Sequence, residues 1–183
     1  MQIGERPVVI DANDWARWTA HELRAVVAAH QSPRQKIEIL DLARFGLSLW
    51  IDGWPQFAML DEHQYHQLLT HPVLYYHPRP EEVLILGGGD RLAARRALMR
   101  RGVERVKIAD WDAAVTALVG AHIVDYTTLG VSDDNPRLEG RNEIDVSEYL
   151  PTTEERFDVV IGDLTDVSTL ESILPNTTDH IAR

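Results

Sequence analysis

Hydrophobic and polar positions follow two different patterns in the two halves of the chain. Between residues 36 and 59, apolar and polar residues alternate as they do in strands that bury one face. The dipeptides Phe45-Gly46 and Asp52-Gly53 interrupt this alternation, and both are typical of tight turns. The pattern therefore predicts a small antiparallel meander whose third strand covers residues 54–59.

A helix is predicted on each side of this meander. Potential N-cap side chains precede residue 14, and apolar spacing favours a helix over residues 14–29 with Trp15 and Trp18 on its buried face. Asp61 begins a second helix, which Pro72 is expected to interrupt because proline cannot donate the helical hydrogen bond.

Short apolar runs alternate with helical segments beyond residue 76. The first run, Val83 to Leu86, is uniformly apolar, as in a strand buried on both faces. Helices are expected over residues 92–101 and around 115–119, and residues 121–136 are expected to form a polar loop. The predicted strands cover residues 83–86, 103–109, 138–144 and 157–161. Such alternation predicts parallel βαβ units, hence an α/β protein with an N-terminal helix and β-domain in residues 1–76 and a parallel sheet in residues 77–183.

Composition narrows the classes of partner. The 29 acidic residues exceed the 18 lysines and arginines, for a formal net charge of -11, which argues against nucleic acid or an anionic membrane as partner. Cysteine is absent, which excludes thiolate catalysis and cysteine-ligated metals. The first ten residues lack a signal-peptide core and no apolar run is long enough to span a membrane, so we expect a soluble, cytoplasmic protein.

Each predicted strand of the second half ends in an acidic residue. Ligands of open parallel sheets bind beyond the carboxyl ends of the strands, so these carboxylates are expected at one site. They are Asp90, Asp110 with Asp112, Asp145, and Asp163 with Asp166. Any single one could instead cap the next helix, and Asp112 in particular fits that alternative.

The glycines of the segment Gly87 to Gly89 permit close backbone approach at the start of a helix. The dinucleotide fingerprint is not met, because Leu92 stands where the third glycine would be. An acid after the second strand, Asp110, suits a ribose diol. A nucleoside without phosphates therefore fits better than a dinucleotide.

Several motifs occur in a fixed order along the chain. They are D-G-x-x-Q from Asp52, D-E-x-x-Y-H from Asp61, G-G-G-D from Gly87, D-x-D from Asp110, and G-D-x-x-D from Gly162. In this order and spacing, residues 35–166 resemble the polyamine aminopropyltransferases, the spermidine synthase family. The resemblance implies a small β-domain followed by a Rossmann-like, methyltransferase-type domain. It also implies aminopropyl transfer from decarboxylated S-adenosylmethionine to putrescine or a related diamine, giving a spermidine-type polyamine and methylthioadenosine.

The resemblance also implies a role for each matching residue. Gln35, Gln56, His66 and Asp90 would hold the aminopropyl arm of the donor; Gly87, Gly88 and Gly89 would form its binding turn; Asp110 would bind the ribose and Asp145 the adenine amino group. Tyr65, Asp163 and Asp166 would line the amine site, with Tyr65 and Asp163 catalytic and Asp163 accepting the proton of the attacking amine. Because a sulfonium donor is already activated, no metal or cofactor is expected. Histidines 63, 66, 71 and 77 complete no obvious metal-ligand set.

Departures from the family pattern keep alternatives open. Arg91 stands where the family has a glycine. If its side chain faced the donor arm, it would repel the decarboxylated donor and favour intact S-adenosylmethionine, which carries a carboxylate. The protein would then be an S-adenosylmethionine-dependent N-methyltransferase. The Arg91 side chain could equally point to solvent. Val167 replaces a proline, and Asp110 is shorter than the usual acid.

The chain ends about 17 residues after Asp166, where related sheets add further strands. The fourth strand would then be an exposed edge, or a homo-oligomer or partner chain would cover it. A non-catalytic nucleoside-binding or partner-subunit homologue is the third alternative.

Overall fold

A six-stranded antiparallel sheet forms the first of two compact units in this computed structural model, which describes residues 2–3, 6–14 and 17–165. The strands follow one another in chain order: β1 (Gln2–Ile3), β2 (Arg6–Asp14), β3 (Arg17–Gln31), β4 (Lys36–Leu42), β5 (Gly46–Ile51) and β6 (Trp54–Ala58). Strands β4 to β6 are the predicted meander, with turns at the two predicted dipeptides. The prediction of an antiparallel β-domain is therefore confirmed.

The predicted N-terminal helix over residues 14–29 is wrong, because this segment is the long strand β3. Strand β3 pairs with β2 on one side and β4 on the other, and the register shifts twice along β4, between Leu23 and Ala25 and between Val26 and Ala28. Each shift adds a residue and changes which side chains share a face, so the strand lacks the strict two-residue period. Pairing with two neighbours overrides the local helical pattern. Trp15 and the side chain of Trp18 lie outside the described part of the chain.

The core of this sheet follows the alternation of β4 and β5. Leu40 and Trp50 are buried on one face, where Trp50 Nε1 donates a hydrogen bond of 3.0 Å to Ser48 Oγ. The Ser48 hydroxyl in turn donates to the Leu40 carbonyl oxygen at 3.2 Å. Ile39 and Leu49 are a cross-strand pair and are both buried. The buried indole N–H of this unit is thus satisfied by a neighbour on the same strand.

A four-stranded, wholly parallel sheet forms the second unit. Its strands are β7 (Glu82–Gly87), β8 (Arg105–Asp110), β9 (Leu138–Asn142) and β10 (Val159–Asp163), in the spatial order β10-β7-β8-β9. The helices are α1 (Glu62–Tyr76), α2 (Leu92–Leu98), α3 (Ala113–His122), α4 (Tyr126–Leu129) and α5 (Val146–Thr152). This alternation confirms the predicted α/β class. Short helix α4 lies inside the segment predicted to be a polar loop, which corrects that prediction.

Both faces of the parallel sheet are covered by apolar side chains. Val83 and Ile85 pack with the alanines of α2 on one face, whereas Leu84 and Leu86 pack with Val146 of α5 on the other. Burial on both faces explains why β7 is uniformly apolar.

Helix α1 continues through Pro72 to Tyr76, so the predicted interruption is wrong. Proline at this position removes the N–H that would bond the Leu68 carbonyl. Leu68 is 75% exposed, so this turn of the helix lies at the protein surface.

Residue contacts divide the chain into Met1–Tyr65 with Ala117–Val124, and His66–Thr116 with Asp125–Arg183. The domain boundary at residues 76 and 77 stays a sequence-based prediction. Within the described residues, no helix is both long and apolar enough to cross a membrane.

Candidate functional site

The order of the parallel strands identifies one edge of the second unit as the candidate site. Strands β8 and β9 lie on one side of β7, and β10 lies on the other. The strand order therefore reverses between β7 and β10, and open α/β sheets bind ligands at the carboxyl ends of the strands beside such a switch point. Gly87 ends β7 and Asp163 ends β10 at this edge.

Residues 87–89 form a tight glycine turn against the end of β10. Gly88 N donates a hydrogen bond of 3.0 Å to the Asp163 carbonyl oxygen. Gly87 has a φ of +77°, and a Cβ on it would overlap that same carbonyl group. A Cβ on Gly88 would lie 2.9 Å from Ile85 Cγ2 and 3.2 Å from Asp163 Oδ2. Only glycine fits both positions.

His66, Asp90 and Asp163 form a cluster beside this turn. One ligand atom from each lies within 4.8 Å of the others, and His66 Nε2 is 3.7 Å from Asp90 Oδ2. His66 is fully buried in α1, whose Thr70 hydroxyl donates to the His66 carbonyl oxygen at 2.7 Å. Such a set of one imidazole and two carboxylates can hold a cation, either an ammonium group or a metal ion.

Asp110 holds the turn from the side of β8. Its carboxylate accepts hydrogen bonds from Gly89 N at 3.0 Å and from Asp112 N at 2.8 Å. A Cβ on Gly89 would lie 2.9 Å from this carboxylate, so the third glycine is also required by close approach. Burial raises the pKa of Asp110 to about 6, and the nearby carboxylates of Asp90 and Asp112 act in the same direction. The two backbone N–H bonds oppose this shift because they stabilise the ionised form.

Other carboxylates of the series contact helix N-termini. Asp112 is buried and accepts from Ala114 N at 3.0 Å, so its predicted capping role is confirmed. Asp145 is the N-cap of α5, where its Oδ1 accepts from the Ser147 N–H at 2.9 Å and the Ser147 hydroxyl at 2.6 Å. Asp90 accepts from Leu92 N at 2.8 Å while its other oxygen points to His66. Asp166 lies outside the described residues.

Three predicted site residues belong to the first unit. Gln35 is buried directly before β4, and its backbone exchanges hydrogen bonds with Ser32. Gln56 lies on β6 and donates from Nε2 to the Trp54 carbonyl oxygen at 3.1 Å. Tyr65 lies on α1 with 45% of its surface exposed.

Arg91 is buried and paired, so the alternative in which it points to solvent is wrong. It is 4% exposed and donates to the Val131 carbonyl oxygen at 2.8 Å and to Asp133 Oδ1 at 2.6 Å. Its guanidinium lies over the Tyr126 ring, 5.1 Å from the centroid. Its backbone is left-handed, with φ of 66°, which costs about 1–3 kcal/mol for a residue other than glycine. The buried contacts of the side chain offset this strain.

Sequence reasoning missed two residues that support the glycine turn. Thr116 of α3 donates from Oγ1 to the Gly89 carbonyl oxygen at 2.6 Å, and the Tyr126 hydroxyl donates to the Thr116 carbonyl oxygen at 3.1 Å. Burial and the negative charge of Asp90 raise the pKa of Tyr126 above its usual value. Neither residue belongs to a motif, since a hydroxyl on a helix gains this role only from where the helix packs.

Comparisons with known proteins agree with this fold. The spermine/spermidine synthase domain matches residues 62–179. The chain is 38% identical over 159 residues to thermospermine synthase ACAULIS5 of Arabidopsis thaliana, covering 84% of this chain and 44% of that protein. It is 34% identical over 146 residues to the polyamine aminopropyltransferase of Sulfurisphaera tokodaii, covering 80% of this chain and 48% of that protein.

Two solved structures of spermidine synthases are similar to this chain. A spermidine synthase in complex with the transition state analogue AdoDATO has a TM-score of 0.79 at 27% identity, covering 92% of this chain and 56% of that one. The spermidine synthase of Thermotoga maritima has a TM-score of 0.77 at 26% identity, covering 88% and 56% of the two chains.

The fold and the carboxylate-lined switch point thus define a Rossmann-like protein of the methyltransferase type, preceded by a small antiparallel β-domain. Within that class, the chain belongs to the spermine/spermidine synthase family, as its motif order predicted. Its relatives are named polyamine aminopropyltransferases, which are transferases. The chain spans about half the length of the curated relatives it matches.

Proposed function

We propose that this chain provides the donor site and the catalytic carboxylate for transfer of an aminopropyl group from decarboxylated S-adenosylmethionine to putrescine or a related diamine. The observation that carries the proposal is the cluster of His66, Asp90 and Asp163 beside the glycine turn, with ligand atoms within 4.8 Å of one another. The proposal uses two features of the substrates, the positive charges of the donor and the need to deprotonate the amine.

The cluster suits the ammonium group of the aminopropyl arm. An ammonium nitrogen makes hydrogen bonds of roughly 2.8–3.0 Å, so His66 Nε2 and Asp90 Oδ2, which lie 3.7 Å apart, can both accept from it and leave Asp163 for the second substrate. In this proposal His66 Nε2 and Asp90 Oδ2 receive the ammonium hydrogens of the donor. Gln35 and Gln56 are assigned to the same arm by family resemblance.

Asp163 has the catalytic role in this proposal. A diamine is a dication near neutral pH, so carboxylates attract it, yet the attacking nitrogen must lose a proton to become nucleophilic. The amine lone pair attacks the carbon next to sulfur, an N–C bond forms, and the C–S electrons move to sulfur. Neutral methylthioadenosine leaves while the amine proton passes to Asp163. Tyr65 and Asp166 are proposed to line the amine site, and in-line positioning supplies much of the rate.

Asp110 is proposed to bind the ribose of the donor. Each of its oxygens already accepts one backbone N–H and keeps a second lone-pair site for a ribose hydroxyl. The glycines at 87–89 let the nucleoside approach the backbone closely. Asp145 directs both Ser147 bonds to Oδ1, which leaves Oδ2 to accept from the adenine amino group in this proposal.

The main argument for the alternative function, an N-methyltransferase that uses intact S-adenosylmethionine, came from Arg91 and no longer applies. It depended on a cationic Arg91 facing the donor arm, whereas the Arg91 guanidinium is bonded to Asp133 and buried over Tyr126. Its charge is therefore balanced where it lies, and it provides no reason to prefer a donor that carries a carboxylate.

We also propose that a second copy or a partner chain covers β10. Among the described residues β10 is an edge strand, and its Val160 is 46% exposed. Exposed apolar edge strands favour pairing with another strand. Light scattering of the purified protein tests this, and a monomer without bound partner would contradict it.

Calorimetry of the full chain with decarboxylated S-adenosylmethionine, S-adenosylmethionine and methylthioadenosine tests the proposed function. We expect the decarboxylated donor to bind more tightly than intact S-adenosylmethionine, and a product assay with putrescine to yield spermidine. Asp90→Asn should weaken the decarboxylated donor far more than methylthioadenosine, which lacks the aminopropyl arm.

Asp125→Asn is the matched control for Asp90→Asn. It makes the same change of charge at the N-cap of α4, and asparagine caps helices as well as aspartate does. Binding of none of the three ligands would contradict both enzyme functions. Binding without product formation would instead support a non-catalytic homologue.

A further inference from the structure

The glycine turn is held from the side of α3 and α4 by a chain of hydrogen bonds. Thr116 Oγ1 donates to the Gly89 carbonyl oxygen at 2.6 Å, and the Thr116 carbonyl oxygen accepts from the Tyr126 hydroxyl at 3.1 Å. The N–H of Gly89 meanwhile donates to Asp110 Oδ2. Both peptide groups that flank the Gly89 Cα are therefore fixed, which sets the direction in which the chain continues to Asp90.

Arg91 links the far end of this chain back to the turn. Its backbone N–H donates to the Gly88 carbonyl oxygen at 2.9 Å, and its guanidinium lies 5.1 Å from the centroid of the Tyr126 ring. The same guanidinium donates to the Val131 carbonyl oxygen and to Asp133. The contacts thus form a closed loop from Gly89 through Thr116 and Tyr126 to Arg91, only two residues further along the chain.

We propose that Thr116, Tyr126 and Arg91 are positioning residues, here called the turn brace, which hold the glycine turn in its donor-binding conformation. This inference rests on the proposed function, because it assigns the turn to the nucleoside donor. None of the three needs to touch the donor. They act through Gly89 and Asp90, whose peptide groups the turn brace fixes.

The physical basis of the turn brace is preorganisation. A glycine-rich turn has more accessible backbone conformations than any other segment, and a ligand that binds only one of them must offset the cost of selecting it. The apparent dissociation constant then rises as the fraction of competent turns falls. Removing a hydroxyl of the turn brace should therefore weaken binding without removing any ligand contact.

Matched controls are available for the two hydroxyl groups of the turn brace, those of Thr116 and Tyr126. Thr116→Ser keeps the hydroxyl that bonds Gly89, whereas Thr116→Val removes it while keeping the shape. Tyr126→Phe removes the bond to Thr116. Tyr75→Phe is its control, because Tyr75 also lies beneath an arginine, with Arg100 at 4.8 Å from its ring centroid, but takes no part in the turn. Both pairs lie in the second unit.

The test measures methylthioadenosine affinity by calorimetry well below the melting temperature of each variant. We expect Thr116→Val and Tyr126→Phe to weaken binding about 5- to 20-fold, the range of modest coupling between sites. Thr116→Ser and Tyr75→Phe should stay within about twofold of the wild type. Hydrogen exchange should increase at the amides of residues 88–92 in the first two variants only.

A merely structural role would lower the melting temperature of Thr116→Val and Tyr126→Phe while leaving affinity and exchange at residues 88–92 unchanged. That result would overturn the turn brace and leave the proposed function intact. If the wild type itself binds no methylthioadenosine, the proposed function fails, and the turn brace fails with it.

Discussion

The predicted site residues of the two sheets differ in the range of their hydrogen bonds along the chain. In the parallel sheet, Asp110 and Asp163 come from different strands yet both bond the backbone of one glycine turn. In the antiparallel unit the corresponding bonds are local: the Gln35 backbone bonds the Ser32 hydroxyl, and the Gln56 side chain donates to the Trp54 carbonyl oxygen. All carboxyl ends of parallel strands meet at one edge, whereas antiparallel strands send alternate ends to opposite edges. The parallel direction of the strands thus brings functional groups from several strands to one site.

Asp163→Asn should have the largest effect, because the parallel edge is proposed to carry the reaction. We expect turnover to fall about 10²- to 10⁴-fold, the usual contribution of general base catalysis, with little change in donor affinity. Steady-state kinetics with putrescine and calorimetry with the donor measure the two quantities. Wild-type turnover in this variant would remove Asp163 from catalysis.

Gly87→Ala should destabilise the second unit by about 3 kcal/mol or more, because its Cβ would overlap the Asp163 carbonyl and its φ is +77°. Hydrogen exchange is the appropriate measurement, since it reports each sheet separately. We expect faster exchange in β7 and β10 with protection retained in β4 and β5.

Gly53→Ala is the matched control for Gly87→Ala. Its φ is +83°, but a Cβ there meets nothing within 4 Å, so it carries the backbone strain without the overlap. Equal destabilisation by the two substitutions would contradict the close-approach argument.

Ser48→Ala should have an intermediate effect that is confined to stability. It leaves the buried Trp50 N–H without its acceptor, which costs about 1–3 kcal/mol. Denaturant unfolding measures the loss, and methylthioadenosine affinity should stay unchanged. Adding Trp50→Phe removes the orphaned N–H, so the serine change should cost much less in that background. A cost that is the same in both backgrounds would refute the hydrogen-bond explanation.

The pH dependence of donor affinity should give the smallest effect. The pKa of Asp110 is raised to about 6, and ribose hydroxyls favour its ionised form, so binding should release protons near pH 6 and weaken as the pH falls below it. Calorimetry in buffers of different ionisation enthalpy measures the proton count. Asp110→Asn should bind more weakly and lose this pH dependence. An unchanged proton release in that variant would assign the titration to another group.

Much of the fold could be predicted from local pattern. The meander of β4 to β6 follows from strict alternation and two turn dipeptides, and β7 follows from a run of apolar residues. Strand β3 could not be predicted, because its two register shifts along β4 break the two-residue period that identifies strands. Helix α1 continues through Pro72, where the local pattern predicts an interruption.

The sequence by itself determined the family, the parallel class of the second unit and the positions of its glycines and acids, since motif order and strand–helix alternation are properties of the chain. Tertiary structure alone decided that His66 meets Asp90 and Asp163, that Asp110 holds Gly89, and that Arg91 is buried against Tyr126 and Asp133. The physical reason is distance along the chain. Residues 21 to 97 positions apart become neighbours only when strand order brings the ends of β7, β8 and β10 to one edge.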